Sequence, residues 1–289
     1  MKKSFYYLSL LLGLVLGMTM FTACGGDDDN NNGGGASGGG ETGFVPGKFM
    51  GPKRVFGDNL TSSFGSDSRR YEMTYNSDNL VTKMKIERVY NDQVENTREY
   101  EVSYADKQVT INRTSSGSDK VKQYVFTIGN NGFAESCTEG YLDSSNKDVI
   151  TYEYDSEGHM TKITLAEAND EPWSGAFTWK DGNIIEQIGE DNKVHLTYTY
   201  SSASNVVGLF IRADIGGIDD LYLPEFYYMG LLGKGTANLV ESYNVAGSSE
   251  TGNNVWTLDN AGRPTKCVTT TTGRGGGTPT TYTYFWTYR

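Results

Sequence analysis

The chain has 289 residues, with 36 acidic against 25 basic side chains, a formal net charge of −11 and 12% aromatic residues. That balance repels nucleic acid, and no basic stripe offsets it, so nucleic-acid binding is excluded. Three cysteines and two histidines show no metal-ligand spacing, and the sequence calls for no cofactor.

In chain order, the first element is an export signal over residues 1–23. Lys2 and Lys3 give a positive start, and Phe5 to Met20 is an apolar run broken only by Ser9, Gly13, Gly17 and Thr19. The run is at the short end for a membrane span, and no basic stop-transfer cluster follows it. It ends in Phe21-Thr22-Ala23-Cys24, which resembles the bacterial lipobox, although that pattern prefers Leu at the place of Phe21. The resemblance implies cleavage before Cys24 and lipidation of its thiol. Several acyl chains on one residue would make attachment effectively permanent without any spanning helix.

Residues 24–43 form a tether. Of the nineteen residues from Gly25 to Gly43, nine are Gly and only Ala36 is apolar, so the segment cannot bury enough surface to offset chain entropy. A Gly-rich coil of that length spans roughly 25 Å r.m.s.. Asp27, Asp28 and Asp29 follow the cysteine closely and resemble the acidic export signal of surface lipoproteins in the Bacteroidetes. This implies an outer-membrane location with the domain facing outward. The alternative is a solvated charge run on a periplasmic protein. Loss of Lys2 and Lys3 with the signal leaves 23 basic against 36 acidic residues, a balance of −13.

Residues 44–289 read as one β domain, and their strongest signal is internal repetition. The template is Tyr152 to Ile163. Met73 to Met84 and Phe177 to Ile188 match it without a gap. Phe126 to Cys137 and Trp256 to Cys267 fit as well, and Val102 to Ile111 and Tyr198 to Val206 are degraded copies. Each unit is a strand, a tight turn and a second strand. Gly132, Gly158, Gly262, Asn79 and Asn183 share one slot, which predicts a left-handed turn residue there. Met160 and Ile163 differ in parity yet both read as core, so a bulge or the packing of the turn is expected to intervene. Turns about every 25 residues predict an antiparallel meander of about 12–14 strands. Cys137 and Cys267 fall in the slot of Ile163, Ile188 and Met84, which favours two buried free thiols over a disulfide.

Units of the form Tyr-x-Tyr-Asp-x-x-Gly-x-Met-x-x-Ile resemble YD repeats. Behind an acidic tether they resemble an uncharacterised lipoprotein family of Bacteroides-type bacteria with a porin-like fold, from about residue 45 onward. The resemblance implies a curled, barrel-like sheet and carries no agreed activity. The alternation itself places aromatic and aliphatic side chains inside and Thr, Glu, Lys and Gln outside, which describes a soluble barrel rather than a spanning one.

Gly208 to Asn244 breaks the pattern and predicts a short helical or irregular cap near 215–240 that seals one end of the core, with a ligand-contacting loop as the alternative. Gly233-Lys234-Gly235 lacks the spacing and the Ser or Thr of a phosphate loop. His159 is expected to be exposed and His195 to lie on the polar face. Asp219 and Glu225 are the least weak carboxylate pair for a hydrolase. The chain thus reads as an all-β, lipid-anchored envelope protein without enzymatic activity, binding an unknown glycan or protein partner. A glycan-binding accessory role is the alternative.

Overall fold

The computed structural model describes residues 54–59 (by their backbone) and 67–288 except 169, 190–194, 210–222 and 273–278. Cys24, Asp27, Asp28 and Asp29 lie outside the described residues, as does Asp219.

Sixteen strands follow in order: β1 (Arg54–Asn59), β2 (Asp67–Tyr75), β3 (Val81–Tyr90), β4 (Gln93–Ala105), β5 (Gln108–Ser115), β6 (Ser118–Ile128), β7 (Ala134–Tyr141), β8 (Asp148–Tyr154), β9 (Met160–Ala166), β10 (Trp173–Lys180), β11 (Asn183–Ile188), β12 (His195–Ser204), β13 (Asn238–Val245), β14 (Thr251–Leu258), β15 (Pro264–Thr272) and β16 (Thr280–Thr287). The fifteen strands β2 to β16 form a continuous antiparallel meander, each bonded to its neighbours in sequence. On its own that run is an open sheet. Backbone pairing of β1 with both β16 and β2 joins its edges into a ring. The strands outnumber the expected count because connections such as Asn91–Asp92 and Ser116–Gly117 are two-residue turns that carry none of the repeat signature.

One end of the ring, the turn end, is built from the repeat. Four of its connections are the same five-residue loop: 76–80, 129–133, 155–159 and 259–263. In each, the first N–H donates to the fifth carbonyl and the fourth N–H to the first carbonyl. The fourth residue has positive φ: Asn79 (67°), Gly132 (84°), Gly158 (89°) and Gly262 (75°). Where the first residue is Asn or Asp, its Oδ1 accepts from the third and fifth N–H groups, as Asn76, Asp155 and Asp259 do at 2.9–3.0 Å. A short side chain with an acceptor two bonds from the backbone is what this Asx geometry needs.

The bulge follows immediately. Tyr154 pairs with Met160 but Glu153 pairs with Lys162, leaving Thr161 extra. The same shift recurs after Val81, Ala134, Ile184 and Pro264. It brings both Met160 and Ile163 into the core. The unit over 173–188 departs from the gapless match. Its turn is the two-residue Asp181–Gly182, with φ of 51° and 73°, and Asn183 opens strand β11 instead of occupying the left-handed slot. The shorter loop slips the pattern by one residue. Ile184 and Gln187 face inward, while Ile185 is exposed and Ile188 is only half-buried.

Inward faces are apolar and aromatic, with Tyr100, Ile111, Tyr124, Phe126, Ile150 and Ile163 all inaccessible to solvent. Outward faces carry charge: Lys83 pairs with Glu101 at 3.2 Å and Lys162 with Glu153 at 3.1 Å. This is the reverse of a lipid-facing barrel, whose outer band is apolar.

The described residues of the pattern-breaking segment form a plug, as its apolar side chains led one to expect. Helix α1 (Leu223–Tyr228) lies inside the ring, where Phe226 meets the rings of Tyr124 and Phe126 edge-on and Tyr228 meets Tyr71 across the interior. Phe226, Tyr227, Met229, Leu231 and Leu232 are all buried. The chain leaves along the turn end, where Ala134 N–H donates to Leu231 O, Lys234 N–H to Gly158 O and Ala237 N–H to Gly182 O. Regular pairing resumes at Asn238, six residues earlier than the sequence pattern implies.

Candidate functional site

Three arrangements concentrate chemistry, and the first is the turn end itself. A bulge turns one carbonyl out of the ladder, and such a group is costly if buried unbonded. Here the next strand supplies a donor each time. Tyr104 Oη donates to Val81 O (2.9 Å), Tyr154 Oη to Ala134 O (2.7 Å) and Trp179 Nε1 to Met160 O (2.8 Å). Tyr200 Oη donates to Ile184 O (2.8 Å), Trp256 Nε1 to Val240 O (2.7 Å) and Tyr288 Oη to Pro264 O (2.6 Å). The β4–β5 hairpin has no bulge in its register, and the corresponding residue of β6 is Ile128, which has no donor. Burial holds the phenols of Tyr104, Tyr154 and Tyr200 protonated, with their pKa values raised. The terminal aromatic of each unit is therefore a structural donor. His159, expected to be exposed, is buried in this layer. Its Nδ1 lies 3.0 Å from Asp155 Oδ2, and its ring stacks on Trp179 at 4.4 Å.

The second arrangement is a polar cluster on the inner wall of β5 to β8. Lys122 Nζ lies 3.0 Å from Glu139 Oε1, and Arg113 Nη1 donates to Tyr124 Oη at 3.2 Å. Burial pushes the Glu139 carboxyl up against the opposing pull of Lys122, and Asp148, its register partner on β8, pushes in the same direction as burial. Glu139 Oε2 and Tyr152 Oη find no hydrogen-bond partner among the described residues, although both are buried. Asp148 Oδ1 accepts from Ala168 N–H at 3.1 Å.

The third arrangement is a contrast between outer walls. Over β2 to β5, in-register rows such as Glu72–Lys85–Glu99 and Thr74–Lys83–Glu101 alternate in charge across β2 to β4 and end on Thr114 and Asn112 of β5. Over β12 to β16 the two longest outward rows are uncharged, and the charged side chains of this wall are Glu241, exposed on β13, and Lys266 on β15. Thr199, Ser242, Asn253, Thr270 and Thr281 form one continuous row across five strands, and Thr197, Asn244, Thr251 and Thr272 form the next. Val255, Val268 and Thr283 follow, Thr283 being buried, and Lys266 is the basic side chain of the last row, between Thr257 and Phe285.

Cys137 and Cys267 are buried free thiols in equivalent slots of different hairpins. Burial raises both, Cys267 to about 12, which makes them apolar fillers rather than nucleophiles. Glu225 is buried in the plug. Because Asp219 lies outside the described residues, no geometry joins the two. Gly233-Lys234-Gly235 serves the plug's crossing. A Cβ at Gly233 would sit 2.8 Å from Gly158 O, and one at Gly235 2.6 Å from Gly208 O. Among the described residues, no group of His, Cys, Asp and Glu is arranged to hold a metal ion. The bulge donors and the uncharged rows escaped the sequence reading, because both depend on register between strands.

None of the curated proteins matches this chain. Among solved structures it is similar to the crystal structure of a porin-like protein from Bacteroides uniformis at 2.32 Å resolution. The TM-score is 0.70 at 19% identity, over 86% of this chain and 100% of that one. That likeness shows a shared fold. A family model, the domain of unknown function DUF4595 with porin-like fold, matches residues 73–266, well over half of the chain. Those limits span β3 to β14 completely, so they take in the bulged hairpins and the plug, and the chain belongs to the DUF4595 family with its porin-like fold.

Proposed function

We propose that this protein is a lipid-anchored component of the outer membrane, displayed at the cell surface and acting as a binding or structural module rather than as an enzyme. The observation that carries the reading is the order of Phe21-Thr22-Ala23-Cys24, the acidic Asp27–Asp29 run and a Gly-rich tether ahead of a folded domain. The charged outer wall supports it. Strands that present Lys83, Glu101, Glu153 and Lys162 outward are poor lipid partners, so a membrane-held protein of this design needs a separate anchor. The plug supports it too, since an interior packed with aromatic side chains leaves recognition to the outer surfaces. The YD-like repeat serves as the framing unit of that scaffold.

The test is metabolic labelling with a clickable palmitate analogue in a Bacteroides host, followed by fractionation and protease shaving of intact cells. The wild type should be labelled, sediment with outer membranes and be cut by external protease, whereas Cys24→Ser should be unlabelled and released. Labelling that persists in Cys24→Ser would refute the anchor. Protection of the wild type, while known surface proteins are cut, would refute outward display.

A further inference from the structure

We propose that the uncharged rows on the outer wall of β12 to β16 form a binding face for a neutral polysaccharide, laid across the strands along the row Thr199–Ser242–Asn253–Thr270–Thr281. This rests on the binding-module reading above and names its ligand class.

Charge selects the class. Charged residues make up 21% of the chain, yet the two longest rows of this wall hold only Thr, Ser and Asn. Solubility alone does not require this, because the β2 to β5 wall meets it with alternating Lys and Glu. The two rows hold no ions, although Glu241 and Lys266 stand elsewhere on the wall, so the rows ask no charged ligand to neutralise them, and the net charge of −11 repels anionic polymers from the rest of the surface. What they offer is a set of hydroxyls and amides that both donate and accept, the pairing that sugar hydroxyls require. Thr199 with Ser242 (2.7 Å) and Thr251 with Thr272 (2.8 Å) already bond side chain to side chain across strands, so these hydroxyls are held in fixed positions. Pre-ordered polar groups reduce the entropy lost on binding.

Spacing selects a polymer. Adjacent strands lie about 4.8 Å apart, so a row across five strands repeats one polar group at a distance close to the length of a sugar ring. Alongside the polar rows, Val255 (67% exposed) and the Phe285 ring, with Lys266 Nζ 5.6 Å above its centre, provide apolar surface for the C–H faces of sugars.

The experiment is affinity electrophoresis of the full-length protein in detergent, through gels containing dextran, soluble starch, xylan or, as an anionic control, polygalacturonate. Two substitutions probe the row, Asn253→Glu and Thr270→Arg, and Glu101→Gln probes the opposite wall. We expect retardation by at least one neutral polysaccharide and unchanged retention in concentrated salt. Both row substitutions should weaken it by roughly tenfold or more, Glu101→Gln should not, and all three should unfold at the wild-type midpoint. The proposal is overturned by migration unaffected by every neutral polymer, by salt-sensitive retention on polygalacturonate alone, or by retention that survives both row substitutions. It is equally overturned if the wild type sediments as a dimer that Thr270→Arg splits, since the wall would then be covered by a second copy. Acylation at Cys24 is read separately on the same variants, so failure here leaves the anchor reading standing.

Discussion

At the scale of single residues, the repeat rests on a few side chains that shape turns. Asp155 shows the logic. Burial works against its charge, but the N–H of His159, the His159 ring and the Glu157 N–H outweigh that, and its carboxyl is held below the ordinary 3.8. A carboxylate whose folded pKa is depressed stabilises the fold fully above its unfolded value. That stability drains as pH falls through the folded one. Asp155→Asn keeps the acceptor oxygen and loses the charge. The wild type should therefore be the more stable at neutral pH, and in urea titrations the difference should shrink as the pH falls below 3.8 and through the depressed folded value. A difference independent of pH would show that the charge contributes nothing. The Asp and Gly of this turn were legible in the sequence, because each residue type has one strong conformational reason to be there. His159 was not. Its burial comes from Trp179, twenty residues on and in another hairpin, and no local pattern encodes that stacking.

At the scale of elements, the unit is a hairpin completed by the strand after it. The bulge that lets Met160 and Ile163 share the core exposes a carbonyl, and Trp179 on β10 satisfies it. Each hairpin thus depends on its successor for a hydrogen bond as well as for pairing. Tyr154→Phe removes the donor to Ala134 O while keeping the ring, and should cost about 1–2 kcal/mol in chemical denaturation. Ile128→Tyr should bring no compensating gain, since the unbulged β4–β5 hairpin presents no carbonyl for it. Equal effects of Tyr154→Phe and Tyr141→Phe, the latter half-exposed, would contradict the donor role. The parity of Met160 and Ile163 called for a bulge or for turn packing, and the register decided for the bulge. The unit at 173–188 shows the limit of that reading. A gapless match placed Ile185 and Ile188 inward, but a shorter turn shifted the register so that Ile184 and Gln187 face the core. A one-residue slip inverts every side chain of a strand, and sequence similarity scores both registers almost alike.

At the scale of the whole molecule, the ring and its plug form one packed object. Phe226 is inaccessible to solvent and touches Tyr124 and Phe126, so Phe226→Ala should cost about 3–5 kcal/mol and lower the unfolding midpoint of the entire barrel in one transition. A separate early transition, with the strands intact, would show the plug to be an independent unit. The sequence by itself determined the local and periodic features: antiparallel hairpins, left-handed turn residues, bulges, an apolar inside, two thiols in core slots and a segment of a different kind between β12 and β13. Each follows from preferences acting over a few residues. Only the tertiary structure decided the number of strands, the pairing of β1 with both β16 and β2, the insertion of Phe226 into the ring, the donors assigned to bulge carbonyls and the uncharged rows across five strands. These depend on which residues meet across strands, and that is set by register and closure, which a linear pattern of period two leaves undetermined.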